Sequence, residues 1–295
     1  VVWIKHMKSS QIISYDNHWI VKGGRQINPT PFCIIGILNI TPDSFSDGGR
    51  YLITKDVIEH TKQMLQSGAQ VIDIGAESTR PFAEPIIEEV EKERLIPHFK
   101  ILKEQFPDVI FSIDTYKAFT AKAALELGAD IINDVSGCTF EPNLLDILVE
   151  YKPGFVLCHT QGKPKTMQVN PSYKDIIEEL LYFFESQMSL ITKAGLPEDR
   201  IVLDPGICFG KKKEHTEIIM KNIERLKVLG RPLYIGLSRK SFFKQFFDLD
   251  VHERDEATRI ATALLAARGV RYHRVHDVAG CTQALKITEV FTPFL

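Results

Sequence analysis

Two sets of side chains in this sequence could do chemistry together, one suited to an anion and one to a flat, nitrogen-rich ring. Arg80 follows Glu77, Ser78 and Thr79, and a guanidinium fork beside a threonine hydroxyl matches phosphate oxygens. Arg274 and His276 alternate in RVH, so on an extended strand both point to the same side. Brought together, Arg80, Arg274 and His276 would surround a polyanion. Asp114, Asn133 and Asp204 offer acceptors and Lys240 a charged donor, the mixed edge that a ring carrying amino and oxo groups requires. The structural alternative is an internal Asp–Lys ion pair closing a core, because buried carboxylates without a partner carry a large desolvation penalty. The segment NITPDSFSDGGR at 39–50 adds Asn39, a neutral oxygen for a hard cation or a hydrogen bond for an anionic ligand. In the same segment Asp43 and Asp47 can orient neighbours, and Gly48–Gly49 can present backbone N–H groups to phosphate.

These groups lie far apart in the chain, so a fold must assemble them. Short apolar runs at 32–39, 71–75, 110–114, 131–135, 155–159, 201–205, 233–238 and 272–277 read as strands. They are continuous rather than alternating, as expected of a parallel sheet covered on both faces. Amphipathic stretches near 54–67, 86–106, 117–128, 143–150, 173–194, 214–229, 255–268 and 279–289 read as the helices between them. Eight such units fill the chain from residue 32 onward with no linker, which favours a closed (β/α)8 TIM barrel; an open doubly wound sheet is the runner-up. The carboxyl ends of the strands carry Asn39, Asp73, Asp114, Asn133, His159, Asp204, Ser238 and His276. One such residue could be a helix cap, but a barrel gathers all eight around one mouth. Residues 1–31 form a separate N-terminal extension ahead of the barrel at 32–295. Within it, 11–28 suggests a short hairpin turning near Asp16–Asn17, with Gly23–Gly24 breaking its second arm.

The chain of 295 residues has 36 Lys+Arg against 38 Asp+Glu, a balance that gives no basic nucleic-acid footprint. Its longest apolar runs, such as FCIIGIL at 32–38, fall far short of the roughly 20 residues of a membrane span. Five dispersed cysteines without a CxxC pair fit a reducing, cytoplasmic setting rather than a disulfide scaffold. The sequence lacks HExxH, GxSxG, GxGxxG and GxxxxGK[ST] patterns. A weakly held Mg2+ shared between Asn39, ligand phosphates and water is the metal expected.

Seven segments in colinear order carry a family resemblance. ILNITPDSFSDGG at 37–49, IDIGAESTRP at 72–81, SIDTYKA at 112–118, INDVSG at 132–137, LDPGICFGK at 203–211, GLSRKSF at 236–242 and RVHDV at 274–278 resemble the bacterial dihydropteroate synthases. The resemblance spans about residues 32–288. It implies a transferase of folate biosynthesis, the target of sulfonamides, which joins 6-hydroxymethyl-7,8-dihydropterin pyrophosphate to 4-aminobenzoate with release of pyrophosphate. By motif, Asp114, Asn133, Asp204 and Lys240 fall on pterin-binding positions. Asn39, Thr79, Arg80, Arg274 and His276 fall on the pyrophosphate and Mg2+ side. Phe45, Pro81, Phe209, Lys240 and Ser241 fall on the aminobenzoate pocket, and Asp47 on a position that helps organise the closed site. Asp114, Lys240, Arg274 and His276 are the expected catalytic residues.

The chain departs from the family pattern at Ala76 and Cys208, where glycine is usual, and at LCHTQG (157–162), where many relatives carry methionine and arginine. These changes bear on specificity more than on reaction class. Two other readings remain: a pterin-binding domain of a corrinoid-dependent methyltransferase, and a catalytically silent pterin-binding barrel. The family also implies a homodimer through helices away from the mouth. The sequence begins VVWIKHMKSSQ, without an initiator methionine, which raises the expectation of a longer parent chain, as in relatives fused behind the pyrophosphokinase.

Overall fold

The computed structural model describes residues 17–40, 50–78 and 83–292. A two-stranded antiparallel ribbon, β1 (Trp19–Ile20) and β2 (Gln26–Ile27), precedes the barrel. Its turn is Lys22–Gly24; Asp16 of the expected Asp16–Asn17 turn lies outside the described residues. Gly23 and Gly24 take positive φ of 74° and 76°, so the glycines expected to break an arm make the reversal instead.

Eight parallel strands follow: β3 (Cys33–Asn39), β4 (Val71–Gly75), β5 (Ile110–Asp114), β6 (Ile131–Asp134), β7 (Gly154–Cys158), β8 (Ile201–Asp204), β9 (Tyr234–Ile235) and β10 (Tyr272–Val275). The ladder runs β8-β7-β6-β5-β4-β3-β10-β9, and a parallel bridge between Leu203 and Leu233 joins its ends. The barrel therefore closes, with β9 as its thinnest stave. The expected run 233–238 is reduced to two strand residues. Pro232 has no N–H to donate, and Gly236 has no side chain to pack.

Helices α1 (Arg50–Gln66), α2 (Glu88–Gln105), α3 (Ala118–Glu126), α4 (Leu144–Tyr151), α5 (Ile176–Ala194), α6 (Lys213–Lys221), α7 (Phe242–Phe247), α8 (Arg254–Ala267) and α9 (Val278–Phe291) alternate with the strands. The expected helix at 214–229 ends at Lys221 and continues as 3-10 backbone from Ile223 to Leu229. The short α7 lies inside what reads as the loop after β9. Alternate residues of each strand supply two apolar layers, which explains why the strands lack polar alternation. Ile34, Leu38, Ile72, Ile74 and Phe155 face the helices, while Cys33, Ile35, Val71, Ile131 and Val202 fill the barrel.

The ribbon closes the amino-terminal floor. Trp19 is fully buried, meets Tyr272 edge-on at 5.4 Å, and donates from Nε1 to the Arg200 carbonyl at 2.8 Å. Gly154 leaves room for it, since a Cβ there would sit 2.8 Å from Val21 and 3.1 Å from the Trp19 ring. With the floor packed, the polar strand ends at the other mouth are the place for chemistry. No helix among the described residues is long and apolar enough to cross a membrane.

Candidate active site

Parallel register sets the first group of side chains. Asp114 pairs with Asn133 across β5 and β6, and Asp73 with Ser112 across β4 and β5. Asn133 donates from Nδ2 to Asp73 Oδ2 at 3.1 Å. From β10, Arg274 reaches both carboxylates: its Nε donates to Asp73 Oδ2 and its Nη2 to Asp114 Oδ2, each at 2.6 Å. Asp73 is fully buried, and among the described residues its Oδ1 has no hydrogen-bond partner.

Burial pushes the Asp114 carboxyl up to about 7, Arg274 pulls it back and Asp73 pushes it further. Burial works against the Arg274 charge, but Asp73 and Asp114 hold it more firmly protonated than usual. Arg274 thus lies against the ring-edge acceptors Asp73 and Asp114. Two buried carboxylates side by side require a compensating cation, and the guanidinium fork meets both at once. His276 turns elsewhere: its Nδ1 and its backbone N–H both contact Ser238 Oγ, at 2.9 and 3.2 Å. Asp277 follows, caps α9 through Gly280 N–H at 3.1 Å and pairs with Arg259 at 2.6 Å.

Across the mouth, β8 ends at Asp204, 5% exposed, whose carboxylate accepts the Gly206 N–H at 2.8 Å. Burial raises its pKa, and Lys240 and the Gly206 N–H oppose the rise. Among the described residues no ion pair joins Asp204 to Lys240, so the core-pair alternative is not what forms. The Lys240 ammonium instead donates to the Ile207 carbonyl at 2.5 Å and lies 4.0 Å over the Phe209 ring. Its neighbour Ser241 donates to Cys208 Sγ at 3.7 Å. Arg239, at φ 57°, holds this loop by a bidentate pair with Asp255 at 2.7 and 2.8 Å.

Asp114, Asn133, Asp204, Phe209, Lys240, Ser241, Arg274 and His276 therefore surround one barrel mouth. Asn39 stands half-buried at the end of β3, on the same rim. Phe45, Asp47, Thr79, Arg80 and Pro81 lie outside the described residues. Two participants are not evident from the sequence. Asp73 is a strand end whose role emerges only from its bond to Arg274. Lys211, the last residue of LDPGICFGK and given no role by the sequence, is 2% exposed.

This arrangement has close counterparts. The model of the pterin-binding enzyme family matches residues 35–276. A dihydropteroate synthase from a Synechocystis species is 42% identical over 257 residues, covering 87% of this chain and 89% of that protein. The structure of Yersinia pestis dihydropteroate synthase in a sulfonamide complex superposes with a TM-score of 0.86 at 34% identity, covering 92% of this chain and 98% of that one. The Xanthomonas albilineans dihydropteroate synthase with 4-aminobenzoic acid superposes at 0.85 with 33% identity and the same coverage. The chain belongs to the dihydropteroate synthase family of pterin-binding enzymes.

Proposed function

We infer that the chain catalyses the dihydropteroate synthase reaction, joining 6-hydroxymethyl-7,8-dihydropterin pyrophosphate to 4-aminobenzoate. The observation that carries this reading is the pairing, in one mouth, of a carboxylate-rich ring edge with an aromatic wall held by lysines. The pterin edge takes Asp114, Asn133 and Asp204 as acceptors. The aromatic acid takes Phe209, Lys240 and Ser241. His276 and Arg274, with Arg80 and Thr79, take the pyrophosphate by motif.

The pterin methylene C–O bond breaks and its electron pair leaves with pyrophosphate. The resulting methylene cation is spread over the pterin ring, beside the carboxylates of Asp114 and Asp73. These are fixed before the charge develops, which is what makes them effective in a site of low polarity. The aromatic amine then supplies its lone pair to the methylene carbon and loses a proton. Neutral at physiological pH, it needs no base before attack.

The donor set fits a lightly held Mg2+. Among the described residues no cluster of three carboxylate, histidine or cysteine side chains forms, and Asn39 offers one neutral oxygen. Such a site relies on the substrate's own phosphate oxygens for most of its ligands. The bound ion would neutralise charge on the departing pyrophosphate.

We place the reaction in the cytoplasm, a reading supported by five free cysteines of which four are buried. A homodimer is supported by Ile260 and Leu264 on α8 and Ile287, Val290 and Phe291 on α9, all exposed and far from the mouth. Mass spectrometry of a reaction with both substrates and Mg2+ tests the activity: dihydropteroate and pyrophosphate should appear together. Absence of both from folded protein would reject the reading, and a methyl-transfer product would favour the corrinoid-linked alternative.

A further inference from the structure

The loop from 205 to 211, which carries Phe209, is held at four successive carbonyls by side chains rather than by secondary structure. Ile207 O accepts from Lys240 Nζ at 2.5 Å, and Cys208 O accepts from Gln168 Nε2. Phe209 O accepts from Lys211 Nζ at 3.0 Å, and Gly210 O from the Tyr173 hydroxyl at 2.8 Å. The loop is also pressed onto the end of β7. A Cβ on Gly206 would lie 1.9 Å from the His159 carbonyl, and one on Gly210 would lie 2.4 Å from the Gln161 carbonyl. Both glycines have positive φ, so a side chain there would meet steric and conformational penalties together.

Lys211 is the buried member of this row. Its ammonium meets His159 Nδ1 at 2.8 Å and His159 O at 3.2 Å besides Phe209 O, and among the described residues no carboxylate lies within 4 Å of it. Three neutral acceptors for three N–H groups satisfy the donors without cancelling the charge. Burial accordingly pushes the Lys211 ammonium down to about 7, partly offset by Cys158 and Asp204 and reinforced by Lys240. For His159 Nδ1 to accept, the ring must be neutral, and burial followed by the Lys211 charge hold its pKa well below the usual histidine value. A buried ammonium is an expensive way to fill space, and a methionine would fill it without that penalty. What only the ammonium does is fasten the Phe209 carbonyl to the end of β7.

We propose that Lys211, backed by Tyr173, is a positioning residue for the 4-aminobenzoate step. It holds the backbone of Phe209 so that the ring stays under Lys240, without touching either substrate itself. The proposal rests on the synthase reading above.

The test is initial-rate kinetics of the full chain with each substrate varied, for wild type, Lys211→Met and Tyr173→Phe. Lys211→Met should raise KM for 4-aminobenzoate on the order of tenfold, with KM for the pterin pyrophosphate within about twofold of wild type. Tyr173→Phe, which removes one neutral hydrogen bond and keeps the ring, should raise the same KM roughly threefold. Should Lys211→Met fail to fold, Tyr173→Phe alone decides. An unchanged 4-aminobenzoate KM, or equal changes for both substrates, would overturn the positioning role. Wild type that makes no dihydropteroate would instead remove the synthase reading, so the two failures are distinguishable.

Discussion

The two sides of the barrel mouth satisfy buried positive charge in opposite ways. Arg274 lies between Asp73 and Asp114, 2.6 Å from each, and the cluster as a whole keeps an excess of carboxylate. Lys211 and Lys240 form no ion pair among the described residues: carbonyls, one imidazole and a ring face meet their amino groups, and Asp204 acts on them only from beyond ion-pair distance. The difference matches the two reactants. On the proposed reading, the pterin, which becomes a cation during the reaction, is taken at the carboxylate side. 4-Aminobenzoate, an anion with an aromatic body, is then taken at the lysine side. The same division sets how each side fails. Removing a partner from an ion cluster leaves an uncompensated buried charge, whereas removing a lysine from the wall loosens a loop.

The sharpest way to break the first side is Arg274→Met, which leaves Asp73 and Asp114 facing each other. Breaking a buried pair costs about 3–5 kcal/mol, and denaturant unfolding should show a loss of that order. Adding Asp73→Asn should recover part of it. A variant as stable as wild type would show that Arg274 is not the counter-charge.

On the second side, Lys240→Met keeps the length but removes the charge and donors. Loss of a charge-assisted hydrogen bond is worth roughly 1.5–3 kcal/mol, so kcat/KM should fall on the order of 10- to 150-fold. If Lys240 only supported the core, stability would fall and kcat/KM would not.

The two sides also differ in their response to acid. Burial raises the Asp114 carboxyl to about 7, so it is ionised above that pH and protonated below it. A protonated Asp114 accepts weakly from the pterin and does not stabilise the cation. The value of kcat/KM for the pterin pyrophosphate should therefore rise with pH and level off above about 7. Asp114→Asn, low throughout, should lose that step. A step of the same size in the variant would assign it to another group, such as the substrate's phosphates.

The smallest effect is expected at Cys208, which holds φ 68° in the loop that carries Phe209. A left-handed non-glycine residue costs about 1–2 kcal/mol, and glycine's extra freedom when unfolded returns part of that. Cys208→Gly should therefore raise stability by at most about 1 kcal/mol. It should also shift KM for 4-aminobenzoate slightly through loss of the Sγ contact with Ser241. A clear loss of stability would mean that the thiol contributes packing that outweighs the strain.

The barrel and most of its mouth are legible in the sequence because strands buried on both faces must be apolar until their ends. Asn39, Asp114, Asn133 and Asp204 stand out for that reason. Other features depend on contacts that spacing does not encode. The KKK run at 211–213 shows no sign that its first member is buried, because the folding of the loop back onto His159 decides that. RVH fixes the side on which Arg274 lies, not the reach of its long side chain across to β4 and β5. Helix α7, FFKQFF, has no polar face by which helical periodicity could reveal it. The sequence reading puts the ribbon turn near Asp16–Asn17 and makes Gly23–Gly24 a break in the arm, whereas the positive φ of both glycines makes them the reversal between β1 and β2.

The division of the mouth is tested most directly by measuring KM for both substrates in Asp114→Asn and Lys211→Met under identical conditions. The account predicts crossed effects. Asp114→Asn should weaken use of the pterin pyrophosphate while leaving KM for 4-aminobenzoate near wild type, and Lys211→Met should do the reverse. If both variants change the two constants in the same proportion, the mouth works as one undivided site and the charge asymmetry has no part in sorting the substrates.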